Sequence, residues 1–184
     1  MSNKFEIGII GAGSITTTLH LPLLESMENI NANLLIIGKG ESYNDLMNNI
    51  KKRKLQDKIN IIESIPYENI SSYYKAADVF ALAYDPNQEG LPMPVMESMA
   101  TGIPVVIPES EDSKELKDSI LFAERNVNSF TEKINHILNN NSVREEYSIK
   151  CLKTAKKFDI SKLEKREAEI YQELIKNGKP TEKN

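Results

Sequence analysis

Residues 58–85, "KINIIESIPYENISSYYKAADVFALAYD", contain two short apolar runs joined by a segment with helical spacing. "KINIIES" and "DVFALAYD" are typical of buried strands, and "ENISSYYKAA" is typical of a helix. Parallel strands need a long connection that returns the chain to the starting edge of the sheet, and a helix provides it. Two strands connected through a helix therefore lie parallel in one sheet. This segment therefore predicts a β-α-β unit.

The same alternation extends along the chain in both directions. Further strands are predicted from "FEIGII", "ANLLIIG", "IPVVIP" and "SILFAE", with helices over "ITTTLHLPLLESM", "SYNDLMNNIKKRKL" and residues 93–101. The last third predicts three helices. Continuously apolar strands, each followed by a helix, indicate an α/β fold with a doubly wound, Rossmann-like parallel sheet of about six strands, helices on both faces and a C-terminal helical segment. We expect one domain over residues 1–178 and a loose tail over 179–184.

The composition limits the classes of function. The 184 residues are 40% hydrophobic and carry a formal net charge of -4, which argues against a general nucleic-acid binder. The single Cys151 excludes an internal disulfide and a thiolate zinc site. No apolar run reaches the roughly 20 residues of a bilayer span, and the first residues do not resemble a secretion signal. We expect a cytoplasmic protein, with peripheral contact at the inner face of the membrane left open.

Ligands of such sheets bind beyond the carboxyl ends of the strands. Four turns qualify by position: residues 11–18, 38–41, 63–67 and 85–93. The fourth turn opens the stretch "NQEGLPMPVMESMATGIPVVIP", in which Glu89 lies in the loop and Glu97 lies about five residues into the next helix. One carboxylate before the start of a helix and one inside the helix suit a ligand in which two hydroxyl clusters flank a phosphate group.

The stretch "EGLPMPVMESMATGIPVV" resembles the signature of the retaining family 4 glycosyltransferases of the GT-B fold: an acid, seven residues, a second acid, then a small-Gly-x-Pro-Val-Val strand. "NLLIIGKGE", "INIIESIPYENISSYYKAADVFALAY" and "SFTEKINHILNNNSVREEYS" are similar to other parts of the same domain, in the same order. The resemblance covers roughly residues 5–176 and corresponds to the C-terminal, donor-binding half of such an enzyme.

The resemblance implies a role for each matching residue. Glu89 would be the catalytic residue that binds donor-sugar hydroxyls, and Glu97 would bind the ribose. The backbone of four residues would enclose the sugar and diphosphate: Gly90, Leu91, Pro92 and Met93. Ser64 and Ile65 would border the base. The resemblance further implies transfer of a hexosyl group, with retention, from a nucleotide diphosphate sugar, without metal or cofactor. It also implies an N-terminal domain or partner chain that binds the acceptor. Without that partner we expect this chain to be inactive.

The first turn departs from the family pattern. "GAGSITTTLHL" has Ala12 where the family usually has an arginine and a threonine near the usual lysine, and those two cations neutralise the diphosphate. We expect the backbone of Gly11, Gly13 and Ser14, together with Lys39, to replace these two cations in part.

Two other functions are considered. "IGIIGAGSIT" is similar to the start of NAD(P)-binding oxidoreductases, but the third motif position is Thr16, and no acid ends the second strand to bind the adenosine ribose. A non-catalytic sugar-nucleotide-binding or scaffolding relative of the transferases would explain the missing cations. The pair Glu89 and Glu97 argues against it.

Overall fold

The residues that a computed structural model describes, 5–10, 21–26 and 32–177, form a parallel sheet covered by helices. The strands run Phe5–Ile10 (β1), Ala32–Ile37 (β2), Ile59–Ile62 (β3), Val79–Ala81 (β4), Val105–Ile107 (β5) and Leu121–Phe122 (β6). The helices run Leu21–Ser26 (α1), Tyr43–Lys52 (α2), Ile70–Ala76 (α3), Met93–Thr101 (α4), Val127–Leu138 (α5), Asn141–Ala155 (α6) and Ile160–Asn177 (α7).

The strand order is β3-β2-β1-β4-β5-β6, and every pairing between neighbours is parallel. The chain winds outward from β1 in one direction, then returns to the other side of β1 and winds outward again. The order therefore reverses between β1 and β4, where Ile7 is in register with Val79. This is the doubly wound topology predicted from the sequence, and it places the switch point of the sheet between β1 and β4.

Apolar side chains fill both faces of the sheet. One cluster combines Ile7, Leu34 and Val106 with Phe130 of α5. The other combines Phe80, Val105 and Met99 with Tyr74 and Cys151 from the covering helices. Alternate residues of one strand point to opposite faces, so a strand that is buried throughout needs helices on both sides. Both β4 and β5 are buried at every position, as the apolar runs predicted.

Several predicted boundaries are wrong. The run "DVFALAYD" forms only a three-residue strand, Val79–Ala81, and β6 has two residues. The sequence analysis also missed a 3₁₀ helix over Glu111–Leu116, which begins with a reciprocal bond pair between Ser110 and Ser113. A serine replaces the usual Glu or Gln of such a capping box, so its sequence signal was weak. The predicted tail, 179–184, lies outside the described residues.

The C-terminal helices differ in how they pack. α6 packs on α4 and α5, whereas the long α7 contacts mainly the 3₁₀ turn Lys156–Phe158 that precedes it. Its exposed face carries large apolar side chains, among them Ile160, Tyr171 and Ile175. No helix in the described part of the chain combines the length and the apolar character that a membrane span requires.

Cys151 provides a probe of folding. It is fully buried in α6, and its Sγ lies 3.2 Å from the carbonyl oxygen of Ser119. Burial raises the pKa of the thiol to about 12. We therefore expect Cys151 to resist a thiol reagent at pH 8 in the native chain and to react fully in urea. The stabilisation from this neutral thiol should be lost as the pH rises from the unfolded value toward the folded one, which alkaline unfolding curves would measure. Fast labelling of the native chain would contradict the packing of α6.

Candidate functional site

The candidate site lies at the carboxyl ends of β1 and β4, beside the loop of residues 82–92 and the start of α4. We call this region the switch-point crevice. Glu89 and Glu97 both belong to it, one in the loop and one in the helix. Gly11, Gly13 and Ser14, predicted on the β1 side, lie outside the described residues, so their placement stays a prediction.

Asp85 organises the loop of the switch-point crevice. Its Oδ1 accepts hydrogen bonds from the backbone N–H of Asn87 at 3.1 Å and from the Asn87 side-chain amide at 3.3 Å. Its Oδ2 lies 3.2 Å from Nη1 of Arg125, and its backbone carbonyl accepts the N–H of Glu89 at 3.1 Å. Asp85 thus connects the loop that carries Glu89 to the segment after β6.

The sequence analysis missed Asp85 and Arg125. The local signal was present, because an aspartate two residues before an asparagine favours a side-chain-to-backbone turn. The partnership with Arg125 spans 40 residues of sequence, and only the pairing of β4, β5 and β6 brings the two together.

Acid should loosen this loop. The bond from the Asn87 backbone lowers the pKa of Asp85 from its ordinary value of 3.8; burial opposes this shift to a smaller extent, and the Arg125 charge adds a further lowering. A lowered carboxyl pKa gives stabilisation that is present above pH 3.8 and is lost as the pH falls through the folded value. We expect hydrogen exchange at the Asn87 amide to accelerate over that range. Asp85→Ala should do the same at neutral pH, whereas Asp118→Ala, a change at an exposed acid on another loop, should not. Unchanged exchange in Asp85→Ala would show that the loop is held by other contacts.

Glu89, Gly90 and Met93 form the exposed edge of the crevice, whereas Leu91 and Pro92 are half-buried. Glu89 and Gly90 are exposed, and the Met93 side chain is 68% exposed. A Cβ added at Gly90 would meet Asp112 Oδ2 at 3.4 Å, an ordinary contact, so the Gly90 backbone could carry a side chain here. These exposed positions are available to a ligand.

The helix α4 begins at Met93, as predicted. Pro92 is the N-cap residue, with extended geometry, and Pro94 lies in the first turn. Pro94 has no N–H, and the N–H of Val95 donates to the Pro92 carbonyl at 3.0 Å. The start of α4 therefore has fewer free N–H groups for a phosphate than an ordinary helix.

Glu97 is the fifth residue of α4, as predicted, and is half-buried. The Tyr74 hydroxyl of α3 donates a hydrogen bond of 2.8 Å to Glu97 Oε2. Tyr74 is 4% exposed, and its ring meets Phe80 of β4 edge to face. Burial first, and the bond to Glu97 second, raise the pKa of the Tyr74 phenol above its ordinary range, so this hydroxyl remains a neutral donor.

Lys39 and the predicted base-binding residues lie at the ends of β2 and β3. Lys39 Nζ lies 2.9 Å from Glu63 Oε2 and 5.0 Å from the centre of the Tyr43 ring. The hydrogen bond and charge of Glu63 raise the pKa of Lys39. Ser64 is exposed and Ile65 half-buried in the turn after β3. A phosphate would have to compete with Glu63 for Lys39, and the roles of all three residues stay predictions.

The chemistry available in the described crevice is hydrogen bonding to hydroxyls. Its two carboxylates accept such bonds, and each lies on a segment that other side chains hold in place. Residues 5–10, 21–26 and 32–177 contain no group of three histidine, cysteine, aspartate or glutamate side chains placed to hold a metal ion. The geometry therefore fits a polyol ligand.

Comparison with known proteins identifies the family to which the sequence is similar. The family model described as "Glycosyl transferases group 1" matches residues 18–157. An uncharacterized glycosyltransferase of Haemophilus influenzae is 29% identical over 137 residues, which is 71% of this chain. The amylovoran biosynthesis glycosyltransferase AmsK of Erwinia amylovora is 38% identical over 85 residues, which is 44% of this chain and 21% of that protein.

A solved structure has the same fold. The Anabaena protein Alr3699/HepE, in complex with UDP-glucose, superimposes with a TM-score of 0.79 at 18% identity and covers 94% of this chain. This chain corresponds to 50% of that structure, and its match spans 37% of the Haemophilus protein. The chain thus spans half or less of each of these three proteins.

Proposed function

Because the family model matches residues 18–157, the chain belongs to the glycosyl transferases group 1 family, and we propose that it is the part of such an enzyme that binds the donor, a nucleotide diphosphate sugar. Its switch-point crevice would present this donor for transfer of a hexosyl group with retention. The acceptor would be bound by an N-terminal domain or a partner chain. The family membership argues against the dinucleotide-binding oxidoreductase.

One observation carries this proposal: two carboxylates flank the start of one helix, and each belongs to a segment that contacts hold in place. The loop of Glu89 is tied through Asp85, and the Glu97 carboxylate is bonded to Tyr74. A nucleotide sugar has two polyols separated by a diphosphate. Glu97 would accept hydrogen bonds from the ribose and Glu89 from the hexose, with the backbone of residues 90–93 around the sugar and diphosphate.

The protein's contribution to transfer would be positioning and electrostatics. Holding the sugar in one orientation lowers the entropic part of the barrier, and backbone N–H groups stabilise the charge that develops on the leaving diphosphate. The usual basic pair of the first turn is absent, since Ala12 stands at one of its positions. Transfer would therefore rely more on the backbone of Gly11, Gly13 and Ser14, and on Lys39 once it leaves Glu63.

The similar proteins suggest which nucleotide sugars to test first as donors. The Anabaena structure contains UDP-glucose, and the Erwinia relative is named for the biosynthesis of amylovoran. We therefore place UDP-hexoses first and GDP-mannose second, with a polysaccharide or glycolipid as the product. The ion pair of Lys39 favours a second candidate, a sugar-nucleotide-binding domain without transferase activity.

Ligand-detected NMR tests the donor site directly. Saturation transfer would be measured for UDP-glucose, UDP-N-acetylglucosamine, GDP-mannose and NADH with the parent chain and with Glu97→Gln. Glu146→Gln is the control, because Glu146 is an exposed acid of α6 paired with Lys150. We expect transfer to one nucleotide sugar, reduced only in Glu97→Gln. Transfer to NADH alone, or to none of the four, would contradict the proposal.

A further inference from the structure

Tyr74 is a buried titratable residue to which neither the sequence analysis nor the family resemblance assigns a role. It lies on α3, the helix that connects β3 to β4 and packs against α4. Its ring belongs to the apolar cluster on one face of the sheet, and its hydroxyl reaches out of that cluster to Glu97. One side chain therefore joins the sheet core to the rim of the switch-point crevice.

The environment of Glu97 is unusual for a carboxylate in a structural role. Within residues 5–10, 21–26 and 32–177, no ion pair involves Glu97, and its hydrogen bond comes from the neutral phenol of Tyr74. Partial burial of a charge is costly without a cation, and a single hydrogen bond to a neutral group recovers only part of that cost. An apolar pair at these two positions would serve packing better.

Within the part of the chain that the structure describes, this bond leaves acceptor capacity of the Glu97 carboxylate unused. An ionised carboxylate offers about four lone-pair sites over its two oxygens. Tyr74 donates to Oε2 and cannot accept from a carboxylate, so its hydroxyl fixes one oxygen. The edge-to-face contact with Phe80, with ring centres 5.7 Å apart, restrains the Tyr74 ring in turn. Glu97 thus keeps one oriented oxygen for donors that arrive from the crevice.

We propose that Tyr74 is a positioning residue, which orients the Glu97 carboxylate to accept hydrogen bonds from the two ribose hydroxyls of a nucleoside diphosphate. The inference rests on the proposed function, because it concerns the same ligand. Tyr74 acts through Glu97 and does not touch the ligand. A preorganised acceptor avoids the loss of side-chain freedom on binding, and this is the origin of its contribution to affinity.

The experiment combines two variants with two ligands. Affinities for UDP and for 2′,3′-dideoxy-UDP, which lacks both ribose hydroxyls, would be measured by titration calorimetry. The proteins are the parent chain, Tyr74→Phe, Glu97→Gln and the double variant. Tyr73→Phe is the control, since Tyr73 is the neighbouring half-buried tyrosine on the same helix. Tyr74→Phe keeps the ring contact with Phe80, and amide NMR spectra would establish that it folds.

We expect Tyr74→Phe to weaken UDP binding about fivefold and to leave dideoxy-UDP binding unchanged. In the Glu97→Gln background the same change should have less than about a twofold effect, because the group that Tyr74 orients has been replaced. A change that only disturbed packing would weaken both ligands in both backgrounds. Equal UDP binding by the parent and Tyr74→Phe, or equal losses for the two ligands, would overturn the inference alone.

A parent chain that binds no nucleoside diphosphate gives a different result. If UDP and GDP both failed to bind the folded parent chain, the proposed function would be overturned together with the ribose role of Glu97. If GDP bound and UDP did not, the same four proteins would be compared with GDP and 2′,3′-dideoxy-GDP, with the same expected pattern.

Discussion

Replacing Gly102 with alanine should lower the free energy of unfolding by about 2 to 3 kcal/mol. Gly102 ends α4 with φ of 82°, a left-handed conformation that costs a residue with a Cβ roughly 1–2 kcal/mol. The new Cβ would also lie 2.9 Å from Cγ of Leu152 on α6. Leu152 is 39% exposed and can shift outward, so the clash adds to the strain without preventing folding. Urea unfolding would measure the loss.

Two further variants separate strain from clash. Gly90→Ala is the control, because its Cβ would make an ordinary contact at 3.4 Å and no left-handed geometry is involved, so its effect should stay within about 0.5 kcal/mol. The double variant Gly102→Ala/Leu152→Ala removes the clash but keeps the backbone strain and the lost Leu152 contacts, so its loss of stability should be smaller than the sum of the two single losses. Full additivity would show that Leu152 does not limit the approach of α4 to α6.

The geometry of Gly102 explains one part of the sequence signature. The Thr-Gly break in "ESMATGIPVV" is a left-handed helix end that lets α6 pack closely on α4. The same helix carries Glu97, so the packing of Gly102 against Leu152 helps to fix the position of that carboxylate. The signature therefore combines the two acids proposed to contact the ligand with a glycine that positions the helix of Glu97.

The sequence was most informative about what depends on local periodicity. The apolar runs predicted all six strands, because a strand with helices on both faces has no polar positions to obscure the pattern. Strand ends were less accurate. Residues 82–84 continue the apolar run, yet β4 ends at Ala81, and the Asp85 side chain that follows bonds to Asn87 and Arg125. The bond to Arg125 depends on a partner from elsewhere in the chain.

The positions of the two acids in the candidate site could be predicted from the sequence. The side chain that holds Glu97 in place could not. Glu89 and Glu97 follow a fixed spacing, whereas Tyr74 precedes Glu97 by 23 residues and reaches it only because α3 packs on α4. Nothing in "SSYYKAAD" distinguishes Tyr74 from Tyr73. Lys39 shows the opposite case, because its position at a strand end was anticipated but its ion pair with Glu63 was not.

The two glutamates should affect binding in different ways. Glu97→Ala removes the acceptor proposed for the ribose hydroxyls and leaves the Tyr74 hydroxyl without its acceptor. A charged hydrogen bond contributes about 1.5–3 kcal/mol, so UDP should bind roughly tenfold to a hundredfold more weakly. UDP-glucose should lose the same factor, since both ligands carry the ribose. Titration calorimetry of both ligands would measure the two losses.

Glu89→Ala should spare UDP and weaken UDP-glucose about tenfold, because only the sugar-bearing ligand reaches the loop of residues 82–92. Glu89 is exposed, so its removal should leave stability within about 0.5 kcal/mol of the parent. The difference between the two ligands thus isolates the sugar contact from any general effect on the crevice. Equal losses for UDP and UDP-glucose in Glu89→Ala would show that the loop binds the nucleotide, and the two acids would then share one end of the donor.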